Sequence, residues 1–176
     1  MKRISMTLAL LICALPCFAQ TQKSEAAKDW IDQWKNATNQ LISIAEAMPV
    51  EKYSYKPVKE VDDFGDQLKH AGLAMRVLLA NAEGKKVDLK EVSLGMDKLK
   101  TKEEIIAELR KIADEGSAVV NRVAGKNDGD IVESQFFGKT TRRFLLIQAI
   151  SHNRNHYGQL VYYLRLNGIT PPASRG

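Results

Sequence analysis

The sequence predicts an all-α fold, a four-helix bundle, on the basis of three observations. Its 176 residues are 44% hydrophobic and 27% charged, which is typical of one globular domain and excludes collagen-like, disordered and polytopic membrane classes. Glycine and proline are sparse, at 11 and 5 residues, whereas a β-sandwich or barrel needs many turn residues. Four long segments carry apolar residues at helical spacing, and segments with helix-breaking residues separate them.

The first predicted helix runs from about Ser24, which can cap it, to Met48, and Pro49 ends it. Its apolar positions recur at helical spacing and are Trp30, Ile31, Trp34, Leu41, Ile44 and Ala45. The link from Val50 to Glu60 is too irregular for a helix, so we expect it to lie extended across the bundle.

The second predicted helix starts near Val61, with Asp62 or Asp63 as its N-cap, and runs to about Asn81. One face of this helix carries Phe64, Leu68, Ala71, Met75 and Leu78. The polar, lysine-rich segment 84–100 is predicted to be a loop that can include a helical turn.

The third predicted helix opens at Thr101, because Thr101 and Glu104 have the spacing of a capping box. It ends before Gly125. The segment 126–139 is predicted to be a connection, in which a small hairpin around residues 130–137 stays open.

The fourth predicted helix runs from Thr140 or Thr141 to Asn167. Gly168 suits the position after a helix C-terminus, and two prolines shortly beyond it prevent continuation. Four amphipathic helices in one chain predict an antiparallel bundle.

The N-terminus has the pattern of a secretory signal peptide. Two basic residues precede an apolar run from Leu8 to Leu15, and Ala19 stands at a suitable cleavage point. The run is shorter than the about 20 residues that a membrane span needs. We therefore expect residues 1–19 to be removed. Residues 20–176 would then form one secreted or periplasmic domain without a membrane span.

Charge and cysteine content narrow the function classes. After removal of Lys2 and Arg3 the chain keeps 24 basic and 21 acidic residues, without a concentrated basic run, which argues against nucleic acid as a partner. Cys13 and Cys17 both lie in the expected signal, so the mature chain would have no disulfide or thiolate chemistry. Acylation of either cysteine is the alternative, but neither follows a small residue, which favours plain export.

The three histidines of the sequence, His70, His152 and His156, are the predicted site of chemistry. His152 and His156 are four residues apart on the fourth helix, so their Cβ atoms lie roughly 6 Å apart on one face. The pair continues an apolar stripe that must face the bundle interior, and His70 flanks the apolar face of the second helix. Three converging imidazoles are the ligand set of catalytic zinc, and they also suit nickel or iron.

Core histidines that hydrogen-bond to a neighbour are the alternative to a metal site. Two buried imidazoles would repel each other if both were charged, so burial favours neutral rings and ligation. Gln159 could hydrogen-bond to a metal-ligating histidine and orient it, or it could be a surface amide. Asn153, Arg154 and Asn155 fall on other faces of the helix, and we expect them to be solvated. No triad, phosphate loop or paired-carboxylate motif is recognisable, so catalytic residues stay unassigned.

Several motifs, in order, resemble the DinB-like family, the damage-inducible family of metal-binding four-helix bundles. The closing segments are HNRNHYGQL at 152–160, YLR at 163–165 and PP at 171–172. The earlier ones are AMP at 47–49, YSYKP at 53–57 and the stretch from Phe64 to His70. The resemblance spans about residues 24–172, which is nearly the whole expected mature chain.

The resemblance implies an up-down-down-up bundle with long crossover loops in place of the simple antiparallel arrangement. It also implies a divalent metal, most often zinc or nickel, held by His70, His152 and His156, and it makes a homodimer an expectation. Tyr157 stands where family members often carry arginine, so no role of that arginine is carried over. Characterised relatives resemble thiol-dependent transferases and isomerases, in which the metal lowers the pKa of a bound thiol or water.

Low-molecular-weight thiols are chiefly cytoplasmic, whereas this chain has the pattern of an export signal. The thiol-dependent activity of the relatives is therefore not carried over directly, and three hypotheses about function stay open. The first is an exported metal-dependent transferase or hydrolase that acts on a small molecule. The second is a non-catalytic bundle that binds a metal or another ligand. The third is a structural or interaction protein with core histidines.

Overall fold

The computed structural model describes the backbone of residues 4–175 and the side chains of residues 25 and 27–175. The chain is mostly helical, as predicted. Its helices are α1 (Ile4–Ala47), α2 (Phe64–Ala82), α3 (Leu89–Asp97), α4 (Lys102–Val123) and α5 (Arg142–Leu166), and a hairpin of β1 (Ile131–Ser134) and β2 (Gly138–Thr141) precedes α5. In the part of the chain that the structure describes, no helix is long and apolar enough to cross a membrane.

Side-chain caps confirm three predicted helix starts, at Asp63, Thr101 and Thr141. The Asp63 carboxylate accepts a hydrogen bond from the Asp66 N–H at 2.8 Å, and the Thr141 hydroxyl accepts one from the N–H three residues on, at 3.1 Å. Thr101 forms the predicted capping box. Its hydroxyl accepts from the Glu104 N–H at 3.1 Å, and Glu104 Oε2 accepts from the Thr101 N–H at 3.0 Å.

The first helix starts earlier than predicted. Its backbone is helical from Ile4 through Ser24 to Ala47, so the predicted start at Ser24 is wrong for the full chain. The preceding residues are rich in leucine and alanine, which favour helix. The link after Pro49 is not extended throughout, because it opens with a 3-10 turn at Val50–Lys52.

Segment 84–100, predicted to be a loop, contains the nine-residue helix α3. The Asp88 carboxylate caps it by accepting hydrogen bonds from the N–H groups of Lys90 and Glu91, at 2.8 and 3.2 Å. A capping aspartate before a short amphipathic segment is the signal that identifies such a helix.

The small hairpin that the sequence leaves open is present. Its strands pair antiparallel, with Ile131 opposite Thr141 and Ser134 opposite Gly138. Gly138 has φ of 62°, a left-handed conformation that favours glycine, and it returns the chain to β2. The turn between the strands carries two partly exposed aromatic residues, Phe136 and Phe137.

The core lies where the four long helices meet. α1 packs against α4 and α5, and α2 packs against the same two helices. The largest fully buried side chains are Trp34, Leu41, Ile44, Met48, Phe64, Leu68, Met75, Ile112, Leu145, Leu146, Leu160 and Leu164.

At one crossing of α1 and α4, Trp34 lies directly on Gly116. A Cβ atom on Gly116 would overlap the indole ring, so the backbone of α4 needs glycine there. The indole N–H donates to the carbonyl of Ala113 at 2.9 Å. The largest side chain of this interface is therefore fully buried with its polar atom paired.

Candidate metal site

Three imidazole rings from two helices converge between α2 and α5. The ring centroids are 5.3 Å apart for His70 and His152, 5.0 Å for His70 and His156, and 4.5 Å for His152 and His156. One ring nitrogen from each histidine lies within 4.8 Å of the other two, an arrangement that could hold a metal ion. The structure thus brings together the three residues that the sequence predicts as a site.

The register between α2 and α5 is set by hydrogen bonds at both ends of the pair. At one end the Tyr163 hydroxyl donates to the carbonyl of Asp62 at 2.7 Å. At the other end Arg142 Nη1 donates to the carbonyl of Ala82 at 2.6 Å. His70 is therefore held opposite the turn of α5 that carries the other two histidines.

A buried amide fixes the orientation of His156. The Oε1 atom of Gln67 lies 2.7 Å from His156 Nδ1, and both side chains are buried. An amide oxygen only accepts, so Nδ1 carries the proton and Nε2 keeps a free lone pair.

The rings of His152 and His156 are poised to be neutral. Burial, followed by repulsion from His152 and His70, lowers the pKa of His156 to about 4. Burial and then His70 lower the pKa of His152. Neutral imidazole is the form that binds metal.

One buried ring atom lacks a partner. His152 Nδ1 is buried and has no hydrogen-bond partner among the described residues. A buried nitrogen in this state is costly, and a bound metal or ligand would satisfy it. Together with the imidazoles of His70 and His156, this makes the donor set fit a divalent metal such as zinc or nickel.

The sequence missed Gln67, although it lies one turn before His70 on the same helix. Gln159, which the sequence left open as an orienting residue, is a surface amide: it is exposed, and its Nε2 donates to Asn155 at 3.3 Å. The prediction that Asn153 is solvated is wrong. Asn153 is fully buried, because α5 packs against α1 as well as α2, whereas Arg154 and Asn155 are exposed as predicted.

The cluster is open to solvent on one side. His70 is exposed, His152 is half-buried and His156 is buried. The sequence places His70 beside the apolar face of its helix. The structure adds that its ring borders two cavities, of about 160 and 230 Å³. A small molecule could therefore approach the cluster from the His70 side.

The sequence model of the DinB superfamily matches residues 33–160, which include all three histidines. The chain belongs to the DinB superfamily. A search of curated proteins finds no match for this DinB-superfamily chain.

Two solved DinB-like proteins have a similar fold. One, from Bacillus cereus ATCC 10987, is 18% identical with a TM-score of 0.69, over 82% of this chain and 95% of that one. The other, from Bacillus subtilis, is 19% identical with a TM-score of 0.63, over 80% of this chain and 92% of that one. At such identity the likeness concerns the fold alone.

Proposed function

We propose that this DinB-superfamily protein is exported and binds one divalent metal ion, zinc or nickel, through His70, His152 and His156. We further propose that it catalyses a transfer or hydrolysis reaction on a small molecule. The observation that carries the proposal is the convergence of three imidazoles from two helices at a position open to solvent. Three histidine ligands with a free coordination position are the arrangement of catalytic zinc sites.

The chain's own residues supply orientation and access. Gln67 holds His156 in one tautomer, and the register of α2 and α5 holds His70 opposite it. The exposed side of His70 admits the small molecule. A bound ion would supply Lewis acidity, which makes a thiol or water a better nucleophile near neutral pH.

A non-catalytic protein that binds a metal or another ligand is the second candidate. Within the described residues the ligand cluster consists of histidines alone. A bundle that buffers metal needs only the three ligands. Turnover of a small molecule separates the two candidates.

We also propose the up-down-down-up arrangement of the four long helices. In support, Trp34 contacts Ala113 while Lys102 Nζ donates to the carbonyl of Met48, as two antiparallel helices would. Arg76 of α2 forms an ion pair with Glu115 of α4. Two turns later on both helices, Glu83 follows α2 and pairs with Arg122 of α4, so the two helices run parallel in this contact.

Export remains a proposal that rests on the leader pattern, with residues 1–19 as signal peptide and residues 20–176 as one domain. The mass of the protein recovered outside the cytoplasm tests it. We expect the mass of a chain that begins at Gln20. A recovered chain that keeps its leader, or one that carries a lipid, would contradict plain export.

Metal content per chain is the first experiment on function. Protein purified without an affinity tag should contain about one zinc or nickel ion per chain. His70→Ala and His152→Ala should lose the ion, and the matched surface variant Gln159→Ala should keep it. A wild-type chain that stays metal-free after reconstitution would show that the histidines are core residues.

A substrate screen on the loaded protein then tests catalysis. Turnover that disappears in His152→Ala and on addition of a chelator would establish a metal-dependent enzyme. Full activity after either change would rule this out. Tight metal binding without a coordination position that exchanges its water or ligand would favour the non-catalytic candidate.

A further inference from the structure

One of the two cavities beside the histidines is walled by aromatic and aliphatic side chains. It has a volume of about 160 Å³, and His70 and His152 are part of its lining. Leu78, Phe136 and Phe137 form much of the remaining wall. An apolar cavity of about 150 Å³ holds one benzene molecule, so this one has room for a group of that size.

The two phenylalanines are costly where they stand. Phe136 is 51% exposed and Phe137 is 44% exposed, in a turn where polar residues would be solvated at no cost. Large exposed aromatic residues grouped at a cavity mouth are typical of binding sites. Their position suggests that their faces are covered when a ligand occupies the cavity.

A buried polar network holds the turn in place. Asn81, fully buried near the end of α2, accepts hydrogen bonds from Ser134 Oγ at 3.1 Å and from the Gln135 N–H at 2.9 Å. Ser134 Oγ in turn accepts from the N–H groups of Phe136 and Phe137, both at 3.3 Å. The backbone that carries both aromatic rings is therefore tied to α2, the helix that carries His70.

The ring of Phe137 is held from a second side. It packs edge-to-face on Phe144 of α5, with ring centroids 5.1 Å apart and an interplanar angle of 83°. The wall is thus tied to both helices that supply histidines, so its distance from the site is built into the fold. Phe136 is the more exposed of the two phenylalanines, so its substitution removes less buried packing than that of Phe137.

We propose that this aromatic cavity is a subsite for an apolar group of the ligand that reaches the histidine cluster. The ligand class is a small molecule with a metal-coordinating donor attached to a phenyl ring or a branched alkyl group of similar size. The subsite rests on the proposed metal site, and it adds a substrate class to it.

Two hydroxamates test the subsite by binding rather than by activity. Acetohydroxamate and benzohydroxamate share the chelating group and differ in the apolar part. Calorimetric titration of the metal-loaded full chain should show benzohydroxamate binding at least about tenfold tighter, after correction for its affinity for the free ion. Phe136→Ala should remove most of this preference, and Phe136→Leu should keep most of it.

Tyr162→Ala provides the control, because Tyr162 is 68% exposed on α5 and does not line the cavity. It should leave the preference unchanged. Equal affinity for the two probes, or a preference that survives Phe136→Ala, would overturn the subsite and leave the metal site standing. A loaded chain that binds neither probe would overturn the subsite together with the open position on which the proposed catalysis depends.

Discussion

The α1–α4 and α2–α5 interfaces are both made by long amphipathic helices, yet they bury different chemistry. At α1–α4 a tryptophan lies on a glycine, with its N–H paired to a backbone carbonyl. At α2–α5 the buried or half-buried groups include Gln67, His152 and His156, and one histidine nitrogen has no partner among the described residues. One interface is packed for stability, and the other gives up apolar burial for polar groups.

The difference indicates where selection for function would act. Buried polar groups without partners cost free energy, and natural proteins keep such departures mainly at functional sites. The α1–α4 interface helps to offset this cost because it buries large apolar side chains such as Trp34 and Ile112. Substitutions in the two interfaces should therefore affect different properties, stability in one and ligand binding in the other.

The largest expected effect is on stability at α1–α4. Trp34→Ala should lower the free energy of unfolding by about 3–5 kcal/mol, because it leaves a cavity in the core. Denaturant unfolding of the metal-free chain measures it. Trp30→Ala, which removes a half-buried tryptophan one turn earlier, should cost clearly less. Equal losses in the two variants would show that the Trp34 contact with α4 has no special weight.

The next effect is on metal binding at α2–α5. Gln67→Leu should weaken metal affinity by about 10- to 100-fold, because His156 loses the acceptor that fixes its tautomer. Competition against a chelator of known affinity measures the change. Gln159→Leu alters an exposed amide on α5 and should leave the affinity unchanged. An unchanged affinity in Gln67→Leu would mean that the amide does not orient the ligand.

A pair of helical glycines separates close packing from helix propensity. Gly116→Ala should destabilise the fold by about 1–3 kcal/mol, because its Cβ overlaps Trp34. Gly158→Ala has open space around its Cβ and should stabilise the fold by about 0.5–1 kcal/mol. Thermal unfolding of both variants gives the comparison, and stabilisation by Gly116→Ala would contradict the close approach.

The smallest effect is expected at Asn153, which is fully buried without a hydrogen bond from its side chain to any described residue. Asn153→Leu should stabilise the fold by up to about 1 kcal/mol, since no side-chain hydrogen bond is lost and an unpaired buried amide is removed. Asn81 is equally buried but fully bonded, so Asn81→Leu should cost about 1–3 kcal/mol. Chemical denaturation measures the free energy of unfolding of both variants. An equal loss in the two would contradict this difference between Asn153 and Asn81.

Local signals allowed much of the fold to be predicted. Capping side chains lie close in sequence to the N–H groups that they bind, so the starts at Asp63, Thr101 and Thr141 are readable from the chain alone. The histidine pair on α5 can be predicted for the same reason, because its two members are only four residues apart. The short helix α3 and the hairpin are not predicted, because elements of nine and four residues hold too few apolar positions to establish a period.

Features that depend on helix register could not be predicted. Gln67 meets His156 only because α2 and α5 are aligned by contacts 101 and 60 residues apart in the chain. Asn153 is buried because α5 has neighbours on two sides, which a single-helix wheel does not reveal. The aromatic wall lies beside His152 through a network that joins Asn81 to Ser134, 53 residues later.

The spacing of the histidines along the chain has a consequence for the lifetime of the protein. α3, α4 and the hairpin all lie between His70 and His152. Under the proposed function, an ion shared by these two residues would hold the two ends of that stretch together in the folded chain. Because the ion binds the folded chain and not the unfolded one, it would stabilise the fold by mass action, by about 2.7 kcal/mol at a free concentration 100 times its Kd. Metal supply outside the cell would then govern how long the protein resists proteases.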